Sequence, residues 1–169
     1  MEKKPIGLIF GLTGGACIIL FMTGLYKGGV DVYLGRLAWL GYAIMIGFGV
    51  AATLVKRKAN GGELLLMQAL KTAFTVFVIE LLLQTLFIWL LLNYLDTHFR
   101  DVLIVELDKR TEEAYRYVGY DQQKINEMMQ QIRGSDHFPL GGMLTSLTTV
   151  YIVFFLFSLL IAAVVKKKK

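Results

Sequence analysis

Four long apolar runs dominate the chain, separated by short polar links and one extended polar segment. A helix rises about 1.5 Å per residue, so a hydrocarbon core of about 30 Å is crossed by about 20 apolar residues. The first run, residues 5–26, contains no charged side chain. The second, residues 34–55, carries only Arg36, at its outer edge. The third begins at Leu64 and reaches Leu95, longer than a bilayer needs. Residues 63–71 are therefore expected to lie at the interface, with Lys71 extending its ammonium group to the headgroups, and residues 72–95 to form the span. The fourth span covers residues 143–165. Lipid offers the backbone no hydrogen-bond partners, which selects helices, and the runs are too long and too uniformly apolar for barrel strands. The fold class is all-α: a polytopic membrane protein of one membrane domain with four transmembrane helices.

Residues 96–140, between the third and fourth spans, are too many for a structureless connection. They predict a two-helix extramembrane loop. Asp96 or Thr97 caps a helix that carries Phe99, Val102, Leu103 and Leu107 and stops at Gly119. Asp121 caps a second helix, where Ile125, Met128, Met129 and Ile132 follow i, i+3, i+4, i+7 spacing ahead of Gly134. That apolar stripe packs on the first loop helix or on the membrane surface, or it docks a partner protein. Tyr115, Tyr117 and Tyr120 suit either setting.

Charge orients this frame. Lys3 and Lys4 precede the first span, Lys56, Arg57 and Lys58 follow the second, and four lysines from Lys166 to Lys169 follow the fourth. With four spans all three clusters fall on one side, which the positive-inside rule makes cytoplasmic. Both termini are then cytoplasmic and the loop 96–140, with nine acidic and six basic residues, is periplasmic. The net charge of +5 thus reports topology rather than nucleic-acid binding. A hydrophobic fraction of 56% exceeds what a soluble fold of 169 residues can hide. Cys17 is the single cysteine and excludes an internal disulfide. The stretch from Gly14 to Cys17 has a faint likeness to a lipoprotein cleavage box, but Gly14 stands where a Leu-like residue belongs and the apolar run continues, so an uncleaved span is expected.

Few residues carry chemistry. Glu80 lies near the middle of the third span with Gln84 one turn on along the same face. A carboxyl at that depth costs about 2.5–3.5 kcal/mol on insertion scales and is a functional candidate by default. It either relays a proton or holds a cation, or it joins helices by bonding a hydroxyl such as Thr53, Thr145, Ser146, Thr148, Thr149 or Ser158. Gly7, Gly11 and Gly15 stand at four-residue spacing, with Gly14 beside them, and allow close helix approach. The expected partner is the second span through Ala43, Gly47 and Ala51, with an oligomer seam as the alternative. His98 and His137 are the only histidines. With Asp96, Asp101 or Asp136 they could in principle converge on a metal, but without a tight spacing motif no metal is expected. No phosphate-binding glycine loop, HExxH, GxSxG or CxxC is present. Neither a cofactor nor an enzymatic activity is expected.

The ensemble of features resembles the bacterial domain-of-unknown-function family 4199, small membrane proteins found mainly in Bacteroidota. The features are the basic exit Lys56, Arg57 and Lys58, the turn Asn60, Gly61, Gly62 and Glu63, and the Gln68–Ala69 pair opening the third span. The loop helix 122–133 ahead of Pro139, and a last span closing on Ser158, Leu159 and a lysine cluster, complete the pattern. The resemblance covers the last two thirds of the chain; the first two spans match in hydropathy and glycine content. It implies an inner-membrane, cell-envelope location and no particular activity. The functional expectation is a non-catalytic accessory or scaffolding subunit that contacts lipid and other membrane subunits or copies of itself, and no nucleic acid. The alternative is a small oligomeric transporter or channel using Glu80.

Overall fold

The computed structural model describes residues 5–133 and 137–166 of the chain. Lys3, Lys4, Gly134, Asp136 and the lysines beyond Lys166 lie outside the described residues. The regular elements are helices: α1 (Ile6–Lys27), the single turn α2 (Val30–Tyr33), α3 (Trp39–Ala59), α4 (Leu66–Leu90), α5 (Thr97–Val118), α6 (Gln122–Arg133) and α7 (Leu140–Val165). Four stretches are long and apolar enough to cross a membrane, Ile6–Lys27, Arg36–Ala59, Leu66–Leu95 and Leu140–Val165. The protein is an all-helical, four-span membrane protein.

Local chemistry sets where these helices start and stop. Gly35 is extended and a 3-10 turn, Arg36–Ala38, leads into α3 at Trp39. The second helix therefore ends later than its apolar run, at Ala59, and holds Lys56, Arg57 and Lys58 in its last turn, where cations meet the free carbonyl ends. The turn that follows needs left-handed backbone at Gly61 (φ 73) and Gly62 (φ 92), which glycine adopts freely. It is closed by the Gly62 amide donating to the Arg57 carbonyl at 3.0 Å and by Arg57 Nε donating back to the Gly62 carbonyl at 3.2 Å. Helix α4 starts at Leu66, not at Glu63, and Leu64 is tucked inside. A π turn, Leu91–Leu95, ends the third span, and the Asp96 carboxylate then accepts from the Phe99 amide at 2.8 Å to open α5.

The chain divides into two compact units. In the first, which holds α1 to α3, α4 up to Phe87 and α7 from Leu144, α4 is the common neighbour. Its Phe77 is fully buried, and its ring occupies the space where Gly49 of α3 lacks a side chain: a Cβ there would meet Cζ at 2.6 Å. The same ring meets Phe154 of α7 edge-on, centroids 4.9 Å apart. Phe74 makes edge contacts with Tyr151 and Phe155, and the Tyr151 hydroxyl donates to the Val78 carbonyl at 3.3 Å. In lipid, helix association rests on such close packing, because apolar burial alone no longer drives it.

The glycine face of α1 corrects the expectation drawn from spacing. Although α1 does pack on α3, Gly7, Gly11 and Gly15 face α4. A Cβ on Gly7 would meet the Thr72 carbonyl and Thr75 at 3.2 Å, one on Gly11 would meet Ile79 at 2.8 Å, and one on Gly15 would overlap Leu83. On α3, Ala43 and Gly47 are exposed, and nothing lies within 4 Å of Gly47; the buried small residues are Gly41, Gly49 and Ala52. The physical reason is side-chain size: α3 receives a large ring at each of its packed glycines, Phe77 of α4 at Gly49 and Phe21 of α1 at Gly41, while α1 presents its own glycines to side chains of α4.

In the second unit, residues 88–143, α5 packs on α6. Gly119 ends α5 in the left-handed conformation (φ 94), and the Asp121 carboxylate opens α6 by accepting from the Lys124 amide at 2.7 Å. Ile125 and Met129 are 1% and 3% exposed, and Met128 and Ile132 are half-buried. The stripe 125/128/129/132 is thus the inner face of this unit. As a docking surface for a partner it is corrected: Ile125 and Met129 are already covered within the unit.

Candidate functional site

Glu80 is fully buried in the bundle, on the face of α4 that meets α1. Its Oε1 occupies the place a Cβ of Gly14 would take, and Phe48 of α3 closes the same spot at 3.0 Å. The absent side chain at Gly14 is therefore what admits the carboxyl. Neither oxygen has a hydrogen-bond partner among the described residues. The hydroxyls that could have served are turned to their own helices: Thr53 donates to the Gly49 carbonyl at 2.7 Å and Ser158 to the Phe154 carbonyl at 2.8 Å, both buried. Thr148 and Thr149 are exposed, as are Thr145 and Ser146. Gln84 is half-buried one turn on from Glu80. A buried polar atom without a partner costs about 1–3 kcal/mol, so this arrangement is retained against a local cost.

The second unit treats its buried carboxyl differently. Asp108 of α5 is 8% exposed and accepts from Arg133 Nε of α6 at 3.1 Å, with His137 Nε2 at 3.4 Å from its other oxygen. The pair fastens the end of α6 to the middle of α5. His137 thus finds Asp108 rather than His98, which is exposed, and Asp96 serves as a helix cap. Among the described residues no group of three or more His, Cys, Asp or Glu could hold a metal. Sequence reasoning missed Asp108. The available signal was an acidic residue one turn after Ile104, at the edge of the stripe that Phe99 and Leu103 define.

Two more features lie at the surface of the first unit. Between α3 and α7 runs an open apolar groove of about 390 Å³, lined by Trp39, Tyr42, Ile46, Val150, Val153 and Phe157 among others. At the opposite end of the spans, Lys56, Lys71, Thr72 and Thr75 surround the start of α1.

One family model, described as protein of unknown function (DUF4199), matches residues 6–167. The chain belongs to that family. Membership extends through the first two spans, beyond the region where the sequence features alone carried the likeness. No curated protein and no solved structure matches the chain. The DUF4199 description assigns no activity, and a functional reading rests on the geometry of this member.

Proposed function

We propose that the protein is a non-catalytic accessory or scaffolding subunit of a cell-envelope complex in a bacterial inner membrane. The basic clusters support an orientation with both termini in the cytoplasm and α5 and α6 in the periplasm. One observation carries the reading: with its inner face closed, the extramembrane unit still presents apolar side chains outward. Val102 and Val105, one turn apart on α5, are 43% and 69% exposed, and Tyr117 at the helix end is 93% exposed. Such positions on an otherwise charged helix suit contact with another membrane subunit. The test is a photo-crosslinking residue placed in turn at Val105, Tyr117 and Met129 in native membranes. Discrete crosslinked species from Val105 and Tyr117 but not from buried Met129 are expected. A lone monomer at all three positions defeats the proposal. A second reading, a small oligomeric transporter or channel with Glu80 as its proton or cation site, draws support from the two unpartnered carboxyl oxygens.

A further inference from the structure

Three helices of the bundle converge on a polar recess of about 280 Å³ lined by Pro5, Ile6, Gly7 and Leu8 of the α1 start, Lys56 of α3, and Lys71, Thr72 and Thr75 of α4. Its construction follows from the glycine face described above: Gly7 lets the first turn of α1 sit against Thr72 and Thr75. No described carboxylate pairs with Lys56 or Lys71. The neighbouring Arg57, by contrast, is committed to the Gly62 carbonyl. Two ammonium groups from two separate helices thus face one recess with no counter-charge among the described residues. The first turn of α1 has no side-chain cap, so its amides add donors at the same place. Thr72 already donates to the Gln68 carbonyl at 2.8 Å, which leaves Thr75 as the hydroxyl donor.

We propose that this recess binds the phosphate of an anionic phospholipid headgroup. The chemistry is that of a phosphate monoanion held by two cations and a ring of N–H and O–H donors. The setting selects a lipid as the source. The recess lies where the spans end, on the side that carries the basic clusters. Ile6 and Leu8 beside it are apolar, matching the ester and first methylenes that follow a headgroup phosphate into the membrane. A lipid there would seal the α1–α3–α4 junction.

The experiment uses the full chain purified in a neutral detergent. Retained lipid is read by native mass spectrometry and the unfolding midpoint by a thermal ramp, with phosphatidylglycerol, phosphatidylcholine or inorganic phosphate added at matched concentration. Phosphatidylglycerol should be retained and raise the midpoint, and phosphatidylcholine should do so much less. Lys56→Gln and Lys71→Gln should each weaken phosphatidylglycerol binding about fivefold, at about 1 kcal/mol per cation. Lys58→Gln, exposed and outside the recess, should leave it unchanged, and Lys71→Arg should largely restore it. Equal retention of phosphatidylcholine overturns the site. So does equal loss from Lys58→Gln, which would make the effect one of general charge. Protection by inorganic phosphate as strong as that by phosphatidylglycerol overturns the lipid assignment.

Discussion

Among the described residues the bundle and the second unit each bury one carboxyl, and they treat it in opposite ways. Asp108 is clasped by Arg133 and His137. Glu80 rests on Gly14, and neither of its oxygens has a partner among the described residues. The difference follows from what lies outside each unit. The Arg133 side chain is 60% exposed and that of Asp108 only 11%, so the guanidinium keeps much of its hydration while it neutralises a buried partner. At mid-span no such compromise exists, because a cation brought to Glu80 would itself have to leave water at a cost of several kcal/mol. The bundle accommodates the carboxyl by shape, removing a side chain opposite it. A polar clasp holds helices where water reaches one end of it; a glycine notch holds them where water does not.

Filling the notch should have the largest effect. Gly14→Leu drives a side chain into Glu80 and Phe48, and is expected to cost about 3 kcal/mol in reversible unfolding of the full chain in detergent. Gly24→Leu, on the same helix with nothing within 4 Å, should cost far less. Adding Glu80→Ala to Gly14→Leu should recover part of the loss, since the two positions compete for one space. Equal costs at Gly14 and Gly24 would remove the notch from the account.

How much of this was legible beforehand depends on whether a feature is local. The spans, the two loop helices, the caps at Asp96 and Asp121 and the stop at Gly119 are written in residues within a turn of one another, and the structure has them. Partner choice is not local. Four-residue glycine spacing announces that α1 has a narrow face, yet every other span is apolar enough to receive it. What decides the matter is the size of the side chains opposite: Phe77 of α4 and Phe21 of α1 fill the glycines of α3, and Ile79 and Leu83 of α4 fill those of α1. For the same reason the hydroxyls near Glu80 looked like partners. A Ser or Thr in a helix can satisfy itself on the carbonyl four residues back, and Thr53 and Ser158 do so. His137 and Asp108 are 29 residues apart, and no short motif joins them.

The two carboxyls should respond with opposite sign when removed. Asp108→Ala leaves Arg133 and His137 without their acceptor and is expected to loosen the second unit by about 2 kcal/mol, seen as faster amide hydrogen exchange in α5 and α6. Glu80→Met keeps the volume and deletes two unpartnered oxygens, so the bundle should gain about 1 kcal/mol in the same detergent unfolding assay. A loss there instead would mean that Glu80 has a partner in the membrane. If that partner is a transported proton or cation, Glu80→Gln in proteoliposomes abolishes flux that the parent chain supports.

The smallest effect concerns an exposed ion pair in the second unit. Glu106 accepts from Arg110 Nε at 2.8 Å, one turn along α5. That hydrogen bond, with the charges of Lys109 and Arg110 behind it, lowers the Glu106 carboxyl below its ordinary value of 4.5, against a smaller opposing contribution from desolvation. A carboxyl whose folded value lies below its unfolded one binds fewer protons when folded. Its contribution to stability is therefore complete above the unfolded value and is lost as the pH falls through the folded one. Because the pair is at the surface the gain is small and screened by salt. Carbon-detected NMR of the Glu106 carboxyl should show titration below the ordinary glutamate range, and Arg110→Gln should return it upward. A carboxyl that titrates at the ordinary value in both proteins would show that this pair, unlike the Asp108 clasp, is not populated in solution, and would leave the buried clasp as the ionic link that matters to the unit.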